Sequence, residues 1–284
     1  MIFMNSIVTF CISTYNNLNY LKIAIESVRK NSYYKDSPFI IHAENCNDGT
    51  DEWLKENSKK YDLEYYIDKN DIPIGIGGGM NFCAELVKTK YICFLHSDFY
   101  VTKNWDKSLI DCAEQTPRTW VDSFRVEPDI FGTPAARKAT VVVPKQSFGE
   151  LHSNFNTERF DIYAKEFVEL NAEIKFPVVQ GVSGVIEKCI WDEIGGNDPL
   201  FAPASYDDLD LFLRMQKINV NYVSIGTSMI YHFGARGSHF PNDNFTNSSS
   251  RQKQSEQKNI NIWLNKWKGI PVYNEYGMII GVKS

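Results

Sequence analysis

The first hundred residues alternate short apolar, β-prone runs with amphipathic segments of helical period, and no other feature of the sequence constrains the fold as strongly. In chain order the pattern predicts strand 6–12, helix 19–30, strand 39–43, helix 51–60, strand 63–67, helix 80–89 and strand 91–95. Helices that connect successive strands in this way are typical of parallel sheets. We therefore expect an α/β protein with a Rossmann-like, mostly parallel sheet flanked by helices.

The composition suits one large domain and argues against several classes of protein. With 284 residues, of which 43% are hydrophobic and 14% aromatic, the chain can bury a sizeable core. The formal net charge of −5 disfavours a nucleic-acid-binding protein, which would carry a basic excess. The six cysteines are dispersed, so we expect reduced thiols in the core. The sequence shows neither a signal peptide nor an apolar run long enough to form a transmembrane segment, which predicts a cytoplasmic location or the cytosolic face of a membrane.

Beyond residue 121 the pattern becomes less regular. It predicts strand 141–143, helix 157–170, strand 182–186, helices 189–194 and 207–217, and strand 221–225. We interpret residues 121–179 as an insertion that carries substrate specificity. The polar stretch 242–258 is rich in Ser, Asn and Gln, and it predicts a mobile loop or lid.

The predicted strand Tyr91–Leu95 stops abruptly at His96, Ser97 and Asp98. Ligands of α/β proteins bind at the carboxyl ends of parallel strands, so Asp98 lies where chemistry is expected. The end of a buried strand has no structural need for a carboxylate. A metal ion that clamps a diphosphate does need one.

Polar residues also follow the first two predicted strands. Ser13, Tyr15 and Asn16 could approach a base or phosphate, with Tyr15 as a stacking face, or they could form an ordinary strand-to-helix turn. Glu44 follows the second strand, where a carboxylate commonly accepts hydrogen bonds from a ribose or base edge. A solvated acidic loop explains Glu44 equally well.

The glycine-rich stretch 75–79 does not match either common nucleotide-binding fingerprint. No Gly-Lys-Ser/Thr follows it, and position 80 is Met where a dinucleotide fingerprint requires Gly. The sequence therefore disfavours an ATPase and a dinucleotide oxidoreductase. Glycines before a helix still allow the backbone to approach a ligand closely.

Asp207, Asp208 and Asp210 open the predicted helix 207–217. Acids at a helix start complement the helix dipole, so a capping role is one explanation. The other is a general base, because a carboxylate held in a substrate cleft can take a proton from an attacking hydroxyl.

His232 and Arg236 follow another predicted strand. His232 could complete a metal site with Asp98, although a lone histidine is more often structural. Arg236 could meet phosphate oxygens. Trp120, Trp191 and Tyr206 are candidate sugar-stacking residues, and packing explains them as readily.

Taken in order, these clusters resemble the family 2 glycosyltransferases of GT-A fold, over about residues 6–267. Each motif is weak alone, but together they stand in the family's order and at similar spacing. The matching segments are Ser13-Thr14-Tyr15-Asn16, Glu44-Asn45 with Asp48-Gly49-Thr50, Asn70 to Asn81, Gly195-Gly196 with Asp207-Asp208, and His232-Phe233-Gly234.

The resemblance implies an inverting transfer of a sugar from a nucleotide sugar, most simply a UDP-sugar, to a glycan, lipid-linked or protein acceptor. Asp208 takes the position of the catalytic base, with Asp207 beside it in the catalytic pair. Asp98 and His232 would hold Mn²⁺ or Mg²⁺. The residues expected to bind the nucleotide sugar are Ser13, Tyr15, Asn16, Glu44, Asn81, His96, Ser97 and Arg236.

The sequence departs from the family at two places. The family's Asp-x-Asp is His96-Ser97-Asp98 here, and its Glu-Asp is Asp207-Asp208. The first departure leaves open a catalytically silent nucleotide-sugar-binding module or partner subunit as an alternative. The implied division is a catalytic domain over 1–240, with a nucleotide-binding half to about 105 and an acceptor half from 106, then a mobile loop and C-terminal extension over 241–284.

Overall fold

The computed structural model describes residues 6–128, 139–142, 144–179, 181–234, 236 and 250–284. Its first part has the predicted alternation of strands and helices. The elements are β1 (Val8–Thr14), α1 (Leu18–Asn31), β2 (Phe39–Glu44), α2 (Thr50–Asn57), β3 (Glu64–Asp68), α3 (Gly75–Leu86) and β4 (Tyr91–His96). Helix α3 begins five residues before the predicted start, because the glycine stretch is itself helical.

The second part mixes short strands with helices. Its elements are β5 (Phe99–Val101), α4 (Trp105–Gln115), β6 (Thr119–Val126), β7 (Val141–Val142), α5 (Thr157–Leu170), β8 (Lys175–Phe176), β9 (Gly184–Glu187), α6 (Lys188–Ile194), α7 (Asp207–Lys217), β10 (Asn221–His232), α8 (Ser250–Trp267), β11 (Ile270–Tyr273) and β12 (Ile279–Lys283).

One ten-stranded sheet organises both parts, with the strand order β3-β2-β1-β4-β9-β6-β10-β5 and with β7 beside β6 and β8 beside β10. Strands β1 to β4 are parallel, as are β6 and β10. Strand β9 runs antiparallel between β4 and β6, and β5 runs antiparallel to β10. The predicted mixed, mostly parallel α/β fold is confirmed. Strands β11 and β12 form a separate antiparallel hairpin.

The core fills both faces of the sheet. Every residue of β1 and β6 is buried, which is expected for strands covered by helices on both sides. Trp120 and Trp191 belong to this core, where they are 0% and 3% exposed and pack around Phe94. They are therefore not sugar-stacking residues. Within the described residues, no helix has the length and apolar character that a bilayer crossing requires.

Two segments differ from the sequence-based expectation. Residues 121–126, predicted to open an irregular insertion, belong to β6, a fully buried strand in the middle of the sheet. Residues 250–258 of the predicted mobile loop are the first half of α8. The rest of that loop, 242–249, lies outside the described residues. The helix was unexpected because its first half carries almost no apolar side chain.

Candidate active site

A cavity of about 400 Å³ lies at the carboxyl ends of β1 and β4. It is lined mainly by side chains that follow strands, as the α/β topology requires. Of the twelve predicted site residues, ten line this one cavity: Ser13, Tyr15, Glu44, His96, Ser97, Asp98, Asp207, Asp208, His232 and Arg236.

Asp98 and His232 meet because β5 pairs antiparallel with β10. The register places Phe99 opposite His232, so the residue before Phe99 reaches the imidazole. Asp98 Oδ2 lies 3.4 Å from His232 Nε2. His96 completes the group, and one ligand atom from each of the three residues lies within 4.8 Å of the others.

Glu127 orients His232 from behind. His232 Nδ1 lies 2.7 Å from Glu127 Oε1, and both side chains are about nine-tenths buried. The carboxylate accepts this hydrogen bond, so Nδ1 carries the proton and Nε2 faces Asp98. Metal-binding histidines are commonly held by a carboxylate in this way. The sequence analysis did not find Glu127, although a carboxylate directly after the buried run 119–126 was a usable signal.

The protonation of these groups follows from their surroundings. Burial, and then the charge of His232, lowers the pKa of His96 to about 3. Burial also favours neutral His232, but the Asp98 and Glu127 carboxylates outweigh it and raise its pKa to about 9. Burial would raise the pKa of Asp98, yet His232, His96 and the Arg236 N–H hold it well below its usual range.

This donor set fits a divalent metal ion. It offers one ionised carboxylate, one neutral imidazole and a second imidazole whose Nε2 lies 3.4 Å from that carboxylate and would lose its proton to bind a metal. Mixed imidazole and carboxylate ligands suit Mn²⁺ better than Mg²⁺, which prefers oxygen.

The side of the cavity formed by β1, β2 and the start of α3 depends on close backbone packing. Glu44 accepts hydrogen bonds from the backbone N–H groups of Ile74 and Gly75, so it caps the start of α3. Gly75 has a φ of +70°, and an added Cβ would lie 2.1 Å from the carbonyl oxygen of Pro203. Gly79 packs on Ser13, where a Cβ would lie 2.1 Å from the hydroxyl oxygen. These glycines let α3 approach the loop before α7 and the end of β1.

Three predicted residues make different contacts from those expected. Asn16 lies outside the cavity lining and accepts the N–H of Asn47 at 2.7 Å. Asn81 also lies outside, and its amide bonds the backbone N–H and carbonyl of Asn197. Arg236 lines the cavity, but its Nε and Nη2 donate to the carbonyls of Phe233 and Glu150. Its backbone N–H donates to Asp98 at 3.0 Å.

Asp207 and Asp208 line the cavity at the start of α7. Burial and the adjacent charge of Asp208 raise the pKa of Asp207 to about 7. Asp208 Oδ1 accepts the N–H of Leu209 at 2.8 Å. Asp210 is fully buried and bonds Arg214 at 2.8 Å and Trp267 at 2.9 Å, so it is structural. Asp207 can therefore exchange a proton near neutral pH, in the range that suits acid–base catalysis.

Helix α8 holds the loop that precedes these acids. The buried Asn259 donates from Nδ2 to the carbonyls of Phe201, Ala204 and Ser205 at 2.6, 2.8 and 3.0 Å. Ser255 also donates to Ala204, and Lys258 Nζ donates to the carbonyl of Ala202 at 3.0 Å. Ser205 and Tyr206 both have positive φ, 81° and 65°. This polar clamp offsets the cost of that backbone conformation.

Structural comparison places the fold among known glycosyltransferases. The structure titled GalNAc-T7 with UDP, GalNAc and Mn²⁺ is 15% identical, with a TM-score of 0.59 over 79% of this chain. Two S. aureus TarS structures, one of them a 1–349 fragment in complex with UDP, are 12% and 13% identical over 79% of this chain, with TM-scores of 0.53 and 0.52. The chain spans 43%, 36% and 59% of these three structures. A search of curated proteins found no match.

The sequence itself supplies the family. The profile described as Glycosyl transferase family 2 matches residues 9–168, more than half of the chain. The matched region includes β1 to β4, Asp98 and Glu127. Together with the GT-A folds of the similar structures, this match shows that the chain is an enzyme that belongs to glycosyl transferase family 2.

Proposed function

We propose that this enzyme transfers a sugar from a UDP-sugar to an acceptor hydroxyl in a single inverting displacement. The observation that carries the proposal is the shared cavity. It is lined both by the Asp98, His96 and His232 group and by the Asp207–Asp208 pair. A diphosphate and an attacking hydroxyl need these two kinds of group near each other.

In the proposed reaction Asp208 takes the proton of the acceptor hydroxyl. The acceptor oxygen forms a new bond to the anomeric carbon, and the bond from that carbon to the diphosphate oxygen breaks on the opposite side. A Mn²⁺ or Mg²⁺ ion held by Asp98 and His232, with His96 as a third ligand, would balance the charge that develops on the departing diphosphate.

Residues at the ends of β1 and β2 are proposed to hold the nucleoside. Ser13 and the half-buried Tyr15 line the cavity beside Glu44, which fixes the start of α3. UDP is the favoured nucleotide because the GalNAc-T7 structure and one TarS structure were solved with it. Asn16 and Asn81 support the loops around the cavity and are not proposed to contact the nucleotide.

The donor proposal is tested by thermal unfolding against UDP, GDP and a panel of nucleotide sugars, each with and without Mn²⁺. A ligand that binds only the folded protein raises its melting temperature. We expect UDP and one UDP-sugar to raise it, and to do so only with Mn²⁺. A rise in melting temperature with GDP and not with UDP would identify a GDP-sugar, rather than a UDP-sugar, as the donor. No shift with any nucleotide would contradict the donor proposal.

A further inference from the structure

A second, open groove of about 380 Å³ adjoins the active-site cavity. Ser205 and Glu256 line both spaces, so the groove and the cavity are continuous. Asp207 and Asp208 lie in the chain between residues that line the groove. The complete lining of the groove is Ser205, Tyr206, Leu209, Glu256, Pro271 and Tyr273.

Three separate parts of the chain form this groove, and the core holds them together. The ring of Tyr206 lies 5.7 Å from the ring of Trp263, which is fully buried on α8. Trp263 Nε1 donates to the carbonyl of Gly269 at 2.8 Å, directly before β11. Tyr206 and the hairpin that carries Tyr273 are therefore fixed to the same tryptophan.

Tyr273 extends the groove to the acid pair. Its side chain is 50% exposed, although it is large and mostly apolar. Burial raises its pKa, and the charges of Asp208 and Tyr206 add to this effect. The groove that Tyr273 lines is continuous with the cavity that Asp208 lines, so a molecule in contact with Tyr273 can extend to the proposed base.

The chemistry of the lining favours an uncharged sugar. Two tyrosine rings, Pro271 and Leu209 offer apolar faces, and Glu256 and Ser205 offer polar atoms. The C–H face of a pyranose packs on such rings while its hydroxyls bond to carboxylate and hydroxyl oxygens. Among the described residues that line the groove there is no Lys or Arg, so nothing there would neutralise a phosphate-bearing acceptor.

We propose that this groove is the acceptor site and that it binds a neutral pyranoside. The sugar packs on Tyr206 and Tyr273 and bonds to Glu256, which directs one of its hydroxyls to Asp208. This inference rests on the proposed glycosyl transfer, and it names the acceptor class as a glycan rather than a lipid or a protein side chain.

The test is the binding of methyl β-D-glucopyranoside, methyl β-D-galactopyranoside and methyl N-acetyl-β-D-glucosaminide to the enzyme with UDP and Mn²⁺. Saturation-transfer NMR titrations give the affinities. We expect at least one probe to bind, and Tyr273→Ala to weaken it about five- to tenfold, which is the range of a lost aromatic contact. Tyr273→Phe should retain affinity, and Glu256→Gln should weaken binding without removing a ring.

Tyr33→Ala is the matched control, because Tyr33 is 54% exposed and belongs neither to the cavity nor to the groove. It should bind the probes as the wild type does. The acceptor proposal is overturned if no pyranoside binds, if a serine-containing peptide binds instead, or if neither Tyr273→Ala nor Glu256→Gln changes the affinity. A parallel titration of the wild-type enzyme with UDP and Mn²⁺ separates the acceptor proposal from the proposed glycosyl transfer. If the wild-type enzyme does not bind UDP, the proposed transfer from a UDP-sugar is contradicted.

Discussion

Two groups of acids line the same cavity, and their surroundings are opposite. Asp98 is buried between His232 and His96 and accepts the N–H of Arg236, so its pKa lies well below the usual range. Asp207 stands beside another carboxylate, and burial together with the charge of Asp208 raises its pKa to about 7. Asp98 is buried and Asp207 half-buried, and both line the same cavity.

The difference supports the two roles that we propose for these aspartates. A carboxylate paired with imidazoles stays ionised and can hold a cation at any physiological pH. A carboxylate beside another carboxylate titrates near neutrality and can exchange a proton with a substrate. The charge of the neighbouring side chains therefore distinguishes the proposed metal ligand Asp98 from the proposed acid–base pair. The following variants test that distinction.

The largest effect is expected from Asp208→Asn. The variant cannot take the acceptor proton, so we expect transfer to fall about 10²- to 10⁴-fold while UDP–Mn²⁺ affinity changes less than about twofold. Initial rates with the donor found by thermal unfolding give the first value, and calorimetry gives the second. Asp192→Asn, a 58% exposed aspartate, is the control. Normal transfer by Asp208→Asn would remove Asp208 from the base role.

Asp98→Asn should have the complementary effect. Loss of the ionised ligand should weaken Mn²⁺ binding by more than about 100-fold, because direct ligands matter at least as much as their supporting residues. Titration of the metal by electron paramagnetic resonance measures this affinity in the absence of turnover. If Asp98→Asn binds Mn²⁺ as the wild type does, the metal site lies elsewhere.

Glu127→Gln should weaken Mn²⁺ about 10- to 100-fold, because the histidine it orients would lose a charged acceptor. The amide can still accept one hydrogen bond, so folding should be kept. The same titration measures the effect, and Glu193→Gln on the surface serves as the control. Unchanged Mn²⁺ affinity would show that Glu127 only packs against His232.

The smallest effect is the contribution of Asp207 to the stability of the folded protein. The folded protein keeps the Asp207 proton up to about pH 7, whereas the unfolded chain releases it near the ordinary value of 3.8. Raising the pH between these values therefore lowers the free energy of unfolding. Asp207→Asn should melt several degrees above the wild type at pH 8 and equal to it near pH 4. An equal difference at both pH values would contradict the raised pKa.

Sequence patterns predicted the first part of the fold, where the hydrophobic pattern of each short segment matches its burial. In β1 and α1 most of the buried residues are apolar. Strand β6 was missed because Asp122, Ser123 and Arg125 interrupt its apolar pattern. In the structure Arg125 pairs with Asp122 in the same strand at 3.1 Å and donates to Ser183 at 2.7 Å, while Ser123 bonds Ser228 at 2.7 Å. The buried polar groups are thus satisfied partly by distant parts of the chain.

The site residues also divide into those that a local pattern predicts and those that depend on contacts with distant parts of the chain. Asp98 and His232 could be proposed because each follows an apolar run, and the sheet brings such positions together. Glu127 was missed with the strand that it follows. Asn16 and Asn81 were expected at the nucleotide, but their amides hold neighbouring loops, and side-chain direction in a loop is not set by periodicity. The first half of helix α8 was missed because its contacts with the acid loop are made by polar side chains such as Ser255 and Lys258.

Asn259 holds the loop before Asp207, so the position of the proposed acid–base pair depends on the segment 250–283. That segment contributes both the residues that fix the acid loop and the hairpin that carries Tyr273. It lies outside the region matched by the family profile, which ends at residue 168. A recombination event between β10 and α8 would exchange Glu256, Pro271 and Tyr273 of the groove together with the loop support. Such an exchange would alter the proposed acceptor groove and leave the residues proposed to bind the donor in place.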